Sequence, residues 1–90
     1  MIYVYVLQKQ KSNAIYIGIT RDLRRRFKEH NALSNSWRLV YYEAYQDERD
    51  ARLREKRLKY YGKALTQLKR RLNFSLGMPF QVRGKGEKAR

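Results

Sequence analysis

Residues 2–20 read IYVYVLQKQKSNAIYIGIT. Two runs rich in β-branched and aromatic residues, 2–8 and 14–20, flank a polar loop at 9–13, which is the pattern of an antiparallel hairpin. Strand alternation sends Ile2, Val4 and Val6 to one face and Tyr3, Tyr5 and Leu7 to the other. In the second run Ile15, Ile17 and Ile19 oppose Ala14, Tyr16, Gly18 and Thr20. Both faces are largely apolar, so both are expected to be covered. The tyrosines stand out, because a buried phenol needs a hydrogen-bond partner that an aliphatic side chain does not.

Working outward, RLVYYEAY at 38–45 is a third strand of the same character. Between strands two and three, TRDLRRRFKEHN starts with Thr20 or Asp22 as N-cap and runs as a helix to about His30. Asp47 caps a second helix from about Glu48 to Tyr61, with Gly62 at its C-terminal end. Leu65, Leu68 and Leu72 in KALTQLKRRL give a third, amphipathic helix with a basic outer face. The segment that follows lacks periodicity and reads as a flexible basic tail. The expectation is an α/β (α+β) fold in a single domain over residues 1–76. It has a small three-stranded antiparallel sheet flanked by about three helices, and 77–90 form the tail.

The chain has 90 residues, with 22 Lys and Arg against 8 Asp and Glu, a net charge of +14. So large a surplus on one small domain repels itself unless it meets a polyanion, and nucleic acid is the expected partner. A membrane surface would call for a basic helix with exposed bulky apolar residues, and no run is long and apolar enough to span a bilayer. The N-terminus MIYVYVLQ lacks the basic segment and cleavage site of a signal peptide, so a cytoplasmic location is expected. Without cysteine there is no thiolate nucleophile and no zinc knuckle; a metal would be held by oxygen or by His30, which points to Mg²⁺.

Successive helical residues lie about 100° apart, so Arg26 and His30 share the face of Leu23 and Phe27. On the second helix Glu55 falls beside Ala51 and Leu58, in the stripe that packs on the sheet. A carboxylate there needs a partner, since burying it alone costs several kcal/mol, on the order given by transfer measurements. A structural ion pair with Arg26 or Arg54 would meet the need, and so would a metal. Phenols, an inward Arg and His, and an inward Glu on one side of a sheet would together supply a metal ligand, a phosphate-binding cation and groups that handle a water proton. Metal-assisted phosphodiester hydrolysis requires that set.

These residues carry a family likeness. VYVL, IYIG, DLRRRFKEH and REKRLK, within residues 2–72, resemble the GIY-YIG endonuclease domain. In particular they resemble its small stand-alone bacterial members, which are related to the N-terminal catalytic domain of the excision-repair nuclease, or excinuclease. The resemblance implies a three-stranded antiparallel sheet with helices and cleavage of DNA with one divalent cation, Mg²⁺ or Mn²⁺, in repair or recombination. By position, Tyr5 matches the GIY tyrosine and Tyr16 that of YIG, while Arg26, His30 and Glu55 match the family's arginine, histidine and metal-binding glutamate. The resemblance gives Glu55 the metal, Tyr5 a part in deprotonating water, Tyr16 its orientation and Arg26 the phosphoryl charge. His30 would assist. Gly18 would let substrate or metal approach the backbone. The GIY glycine is replaced here by Tyr3, and Asn73 is the sole candidate for the family's downstream asparagine.

Arg24, Arg25, Lys28, Lys56 and Lys59 are candidate DNA-phosphate contacts as well as solvated helix residues. Tyr41, Tyr42, Tyr45, Tyr60 and Tyr61 read as packing or base stacking, Trp37 as a core cap or a stacking platform, and Glu43 as an ordinary strand-end residue. Two functions follow from different classes. One is a metal-dependent DNA endonuclease with little sequence recognition, aimed by DNA structure or a protein partner. The other is an inactive module binding DNA or structured RNA, with DNA the first choice of partner.

Overall fold

The computed structural model describes residues 1–32 and 36–77. The elements are β1 (Ile2–Lys9), β2 (Ile15–Thr20), α1 (Leu23–His30), β3 (Trp37–Tyr45), α2 (Glu48–Tyr60), α3 (Gly62–Arg71) and the short α4 (Asn73–Leu76). The strands form an antiparallel sheet in the order β2-β1-β3, which makes this an α+β fold. The tail expected beyond residue 77 lies outside the described residues. Among those described, no helix is long and apolar enough to cross a membrane.

Local chemistry sets the element ends. The hairpin closes through Asn13 at φ 60°, a left-handed conformation that asparagine tolerates. Asp22 caps α1 by accepting from the Arg25 amide at 3.0 Å, and Asp47 caps α2 by accepting from that of Arg49 at 2.8 Å. Each cap contributes about 1 kcal/mol. Gly62 does not end α2 as expected. Tyr61, in extended backbone, breaks the helix, and Gly62 is the first residue of α3. The left-handed glycine is Gly77, at φ 62°, behind α4.

The core lies on one side of the sheet. Ile2, Val4, Val6 and Ile17 pack there against Ala51 and Leu58 of α2, Leu68 of α3, then Leu72 and Leu76. Each buried aliphatic side chain stabilises the fold by roughly 1.5–3 kcal/mol. The expectation that both faces are covered holds at β1, where Tyr5 and Leu7 on the other face are as buried as Val4 and Val6; α1 lies over that face, yet none of its own residues is fully buried, and Tyr42 of β3 is 52% exposed there. The sheet therefore has a covered face under α2–α4 and an open face bearing α1.

Candidate active site

Five predicted residues, Tyr5, Tyr16, Gly18, Arg26 and His30, meet on the open face. Tyr5 lies in central β1 with its cross-strand partner Gly18 in β2, and its ring occupies the space where a side chain at Gly18 would be. A Cβ on Gly18 would stand 2.5 Å from the Tyr5 hydroxyl. The ring of Tyr5 thus fills the approach that the resemblance reserves for substrate or metal. The Tyr5 hydroxyl lies 3.0 Å from Nε2 of His30. Tyr16 packs edge-on against the His30 ring at 4.6 Å between centroids and lies tilted beside Tyr5 at 6.2 Å. Because Arg26 precedes His30 by one helical turn, its guanidinium acts on the same phenol, and it also bonds Glu29 at 3.1 Å.

Two further residues join the cluster. Trp37, read from sequence as a core cap or a stacking platform, extends the aromatic row, 6.2 Å from Tyr16 and 6.5 Å from His30, with Lys9 over its ring. Asn31, just past α1, grips the Trp37 backbone twice: its side-chain nitrogen donates to the carbonyl at 3.1 Å and its oxygen accepts from the amide at 3.0 Å. Only the fold brings these residues together; the polar loop after α1 was the one available hint.

The electrostatics set neutral Tyr5 and His30 beside a charged Arg26. Burial pushes the Tyr5 phenol up to about 12; Arg26 opposes that rise and Tyr16 adds to it. Burial, joined by the Arg26 charge, lowers the His30 pKa, so the imidazole is neutral near pH 7. Glu29 first, then Tyr5, raise that of Arg26, whose side chain remains 47% exposed. A fixed exposed cation beside a neutral phenol and imidazole can receive a phosphate and move a proton.

Glu55 belongs to another layer. It stands on α2, against the covered face, so convergence of all the candidates on one side of the sheet is corrected. Helical periodicity tells inside from outside but not which face of a sheet a helix takes. Its partner is neither Arg26 nor Arg54 but Lys59, at 3.1 Å, and its side chain is 20% exposed. Arg54 instead grips Glu43 with three hydrogen bonds of 2.9–3.1 Å. Glu43 also accepts from the hydroxyls of Tyr41, at 2.7 Å, and Tyr45. Glu43 is thus the hub of a sheltered network and no ordinary strand-end residue. Burial alone would raise its carboxyl, yet Arg54, Tyr45 and Tyr41 hold it below the usual range. Glu55 lies about 100° further round α2 than Arg54, and α2 also packs near β2.

Arg24, Arg25 and Lys28 are exposed on α1, and Lys56 and Lys59 on α2. Asn73 opens α4, which packs on α3 and β3. Among the described residues no three His, Cys, Asp or Glu side chains group as metal ligands.

A small antiparallel sheet with a tyrosine, arginine and histidine cluster on its open face and a surplus of cations is the make-up of a domain that acts on nucleic acid. Residues 1–59 match the family described as the GIY-YIG catalytic domain. A UPF0213 protein of Clostridium perfringens (strain 13 / Type A) is 37% identical over 75 residues, covering 74% of this chain and 75% of its own length. No solved structure matches. The chain belongs to the GIY-YIG family, which implies nuclease-type activity on a nucleic acid substrate.

Proposed function

We propose that the protein is a divalent-metal-dependent endonuclease that hydrolyses DNA phosphodiester bonds with little sequence recognition. The observation that carries this reading is the Tyr5 hydroxyl 3.0 Å from His30 Nε2, beside Tyr16 and a half-exposed Arg26. With phenol protonated and imidazole neutral, we assign the hydrogen bond as Tyr5 donating to Nε2, which leaves the ring proton on Nδ1. As a water attacks phosphorus, the Tyr5 oxygen takes the water's proton and passes its own to Nε2; hydroxide forms the new P–O bond, the P–O bond to the leaving sugar oxygen breaks with its electron pair going to that oxygen, and His30 is left as imidazolium. Tyr16 orients that water. Arg26 stabilises the charge gathering on the phosphoryl oxygens. Cations on α1 and α2, Arg24, Arg25, Lys28, Lys56 and Lys59, hold the backbone without reading bases.

Glu55 suits a hydrated Mg²⁺ or Mn²⁺. It is a sheltered carboxylate held by a flexible lysine, and such cations accept one or two carboxylates while keeping most of their water. When bound, the ion would polarise the scissile phosphate and neutralise the leaving oxygen. β2 is an edge strand, so DNA lying along it would meet the phenols from one layer and Glu55 from the other. One observation favours the alternative, a binding module without turnover: Glu55 is paired with Lys59 on a different layer from the phenols.

Plasmid nicking separates the two. The wild-type protein should nick in Mg²⁺ and stop in chelator, and Glu55→Ala should slow nicking by about a thousandfold, the several kcal/mol that a metal supplies. DNA shifted in a gel but never cut would leave the binding module.

A further inference from the structure

Beside the phenol cluster the open face carries a groove of about 540 Å³, within the range of ligand pockets. Tyr3, Tyr42, Leu39 and Phe27 line it, with Arg21 and Arg24 also in the lining. Tyr3 and Tyr42 meet edge to face, 5.8 Å apart at 68°, and Tyr42 is half exposed. Tyr42 is also the direct cross-strand partner of Tyr5, so the groove adjoins the cluster at one strand's spacing, about 5 Å. Two arginines flank the aromatic floor: Arg21 is held by Glu48 at 2.6 Å, and among the described residues Arg24 has no carboxylate partner. Asp22, also in the lining, is occupied as the cap of its own helix.

We propose that this groove binds an unpaired nucleotide of single-stranded DNA, its base against Tyr42 and Phe27 and its phosphate on Arg24. Aromatic side chains in an open groove offer stacking to any base, and adjacent arginines track the backbone. In a duplex each base face is already covered by its neighbours, so only an unpaired base can use such a floor. The assignment deepens the nuclease reading and rests on it for which phosphate is cut, namely one beside an unpaired nucleotide.

The test is equilibrium binding of the full chain, in chelator, to a short labelled single-stranded DNA, its duplex and the RNA of the same sequence, at one salt concentration. The single strand should bind more tightly than the duplex. Tyr42→Ala should weaken single-strand binding about tenfold, within the range for loss of one stacked base, and leave duplex binding alone, while Tyr42→Phe should retain it. Half exposed, Tyr42 can be truncated without unfolding the domain, which circular dichroism would check. Equal losses on both forms, no loss on either, a duplex bound as tightly, or RNA preferred to DNA would overturn the proposal. Nicking answers separately: selective binding without cleavage would remove the nuclease reading and leave the groove, and cleavage indifferent to Tyr42 would do the reverse.

Discussion

On the covered face of the sheet, Glu43 takes the hydroxyls of Tyr41 and Tyr45 and the guanidinium of Arg54, so its charge is answered within the fold. On the open face, burial keeps Tyr5 and His30 neutral while Arg26 keeps half its surface in solvent. Both clusters combine phenols with an arginine, and both carry a tyrosine pushed up to about 12. They differ in shelter. A network in which one carboxylate is shared by an arginine and two phenols ties β3 to α2, and one with a half-exposed cation and an aromatic row beside a groove is equipped to take a ligand.

The sharpest attempt to break that contrast is Glu43→Ala. It strands Arg54 and two phenols, and should destabilise the protein by about 2–3 kcal/mol, below the full penalty for a buried pair because both partners keep some solvent. Urea denaturation measures it, and DNA affinity per folded molecule should stay unchanged. On the open face, Gly18→Ala drives a methyl into the buried Tyr5 ring, 2.6 Å from the carbon that bears the hydroxyl. Overpacking of that kind costs about 1–3 kcal/mol. Nicking should fall as well, since the displaced hydroxyl loses His30.

A smaller effect separates the faces by pH. The pKa of His30 is lowered by folding, so the native state binds fewer protons than the unfolded chain, and stability drops as pH falls through the ordinary imidazole value of 6.5. Glu43 is lowered as well, and its contribution is lost only as pH falls below the ordinary carboxyl value of 4.5. Acidification should therefore weaken the open face first. The stability difference between wild type and His30→Gln should shrink from about pH 7 to pH 5, and that between wild type and Glu43→Gln should not. In alkali the faces should behave alike, because Tyr5 and Tyr45 favour their neutral forms and lose stability as pH rises from 10 through about 12.

Much of this was legible in the residues. Alternation in 2–8 and 14–20 gave the hairpin and put Tyr5, Tyr16 and Gly18 on one face, and Asp47 marked the start of α2. Position in the helix put Arg26 and His30 on one side of α1. What could not be read was the layer each helix joins. Ala51 and Leu58 point inward whichever face α2 covers, so the wheel set Glu55 among the phenols when the fold gives it Lys59. Glu43, Asn31 and Trp37 likewise gain their roles from partners on other elements, which local pattern does not encode. Gly62 misleads because a glycine after a helix also suits the start of the next one, and Tyr61 has already broken α2.

The most direct measurement compares two phenols in one nicking assay with Mg²⁺, Tyr5→Phe against Tyr45→Phe, each at matched folded fraction. Chemistry seated on the open face predicts a loss of about a hundredfold for Tyr5→Phe, the worth of a positioned proton-transfer group, with Tyr45→Phe cutting close to the wild-type rate. Wild-type cutting by Tyr5→Phe, or an equal loss in Tyr45→Phe, would contradict it.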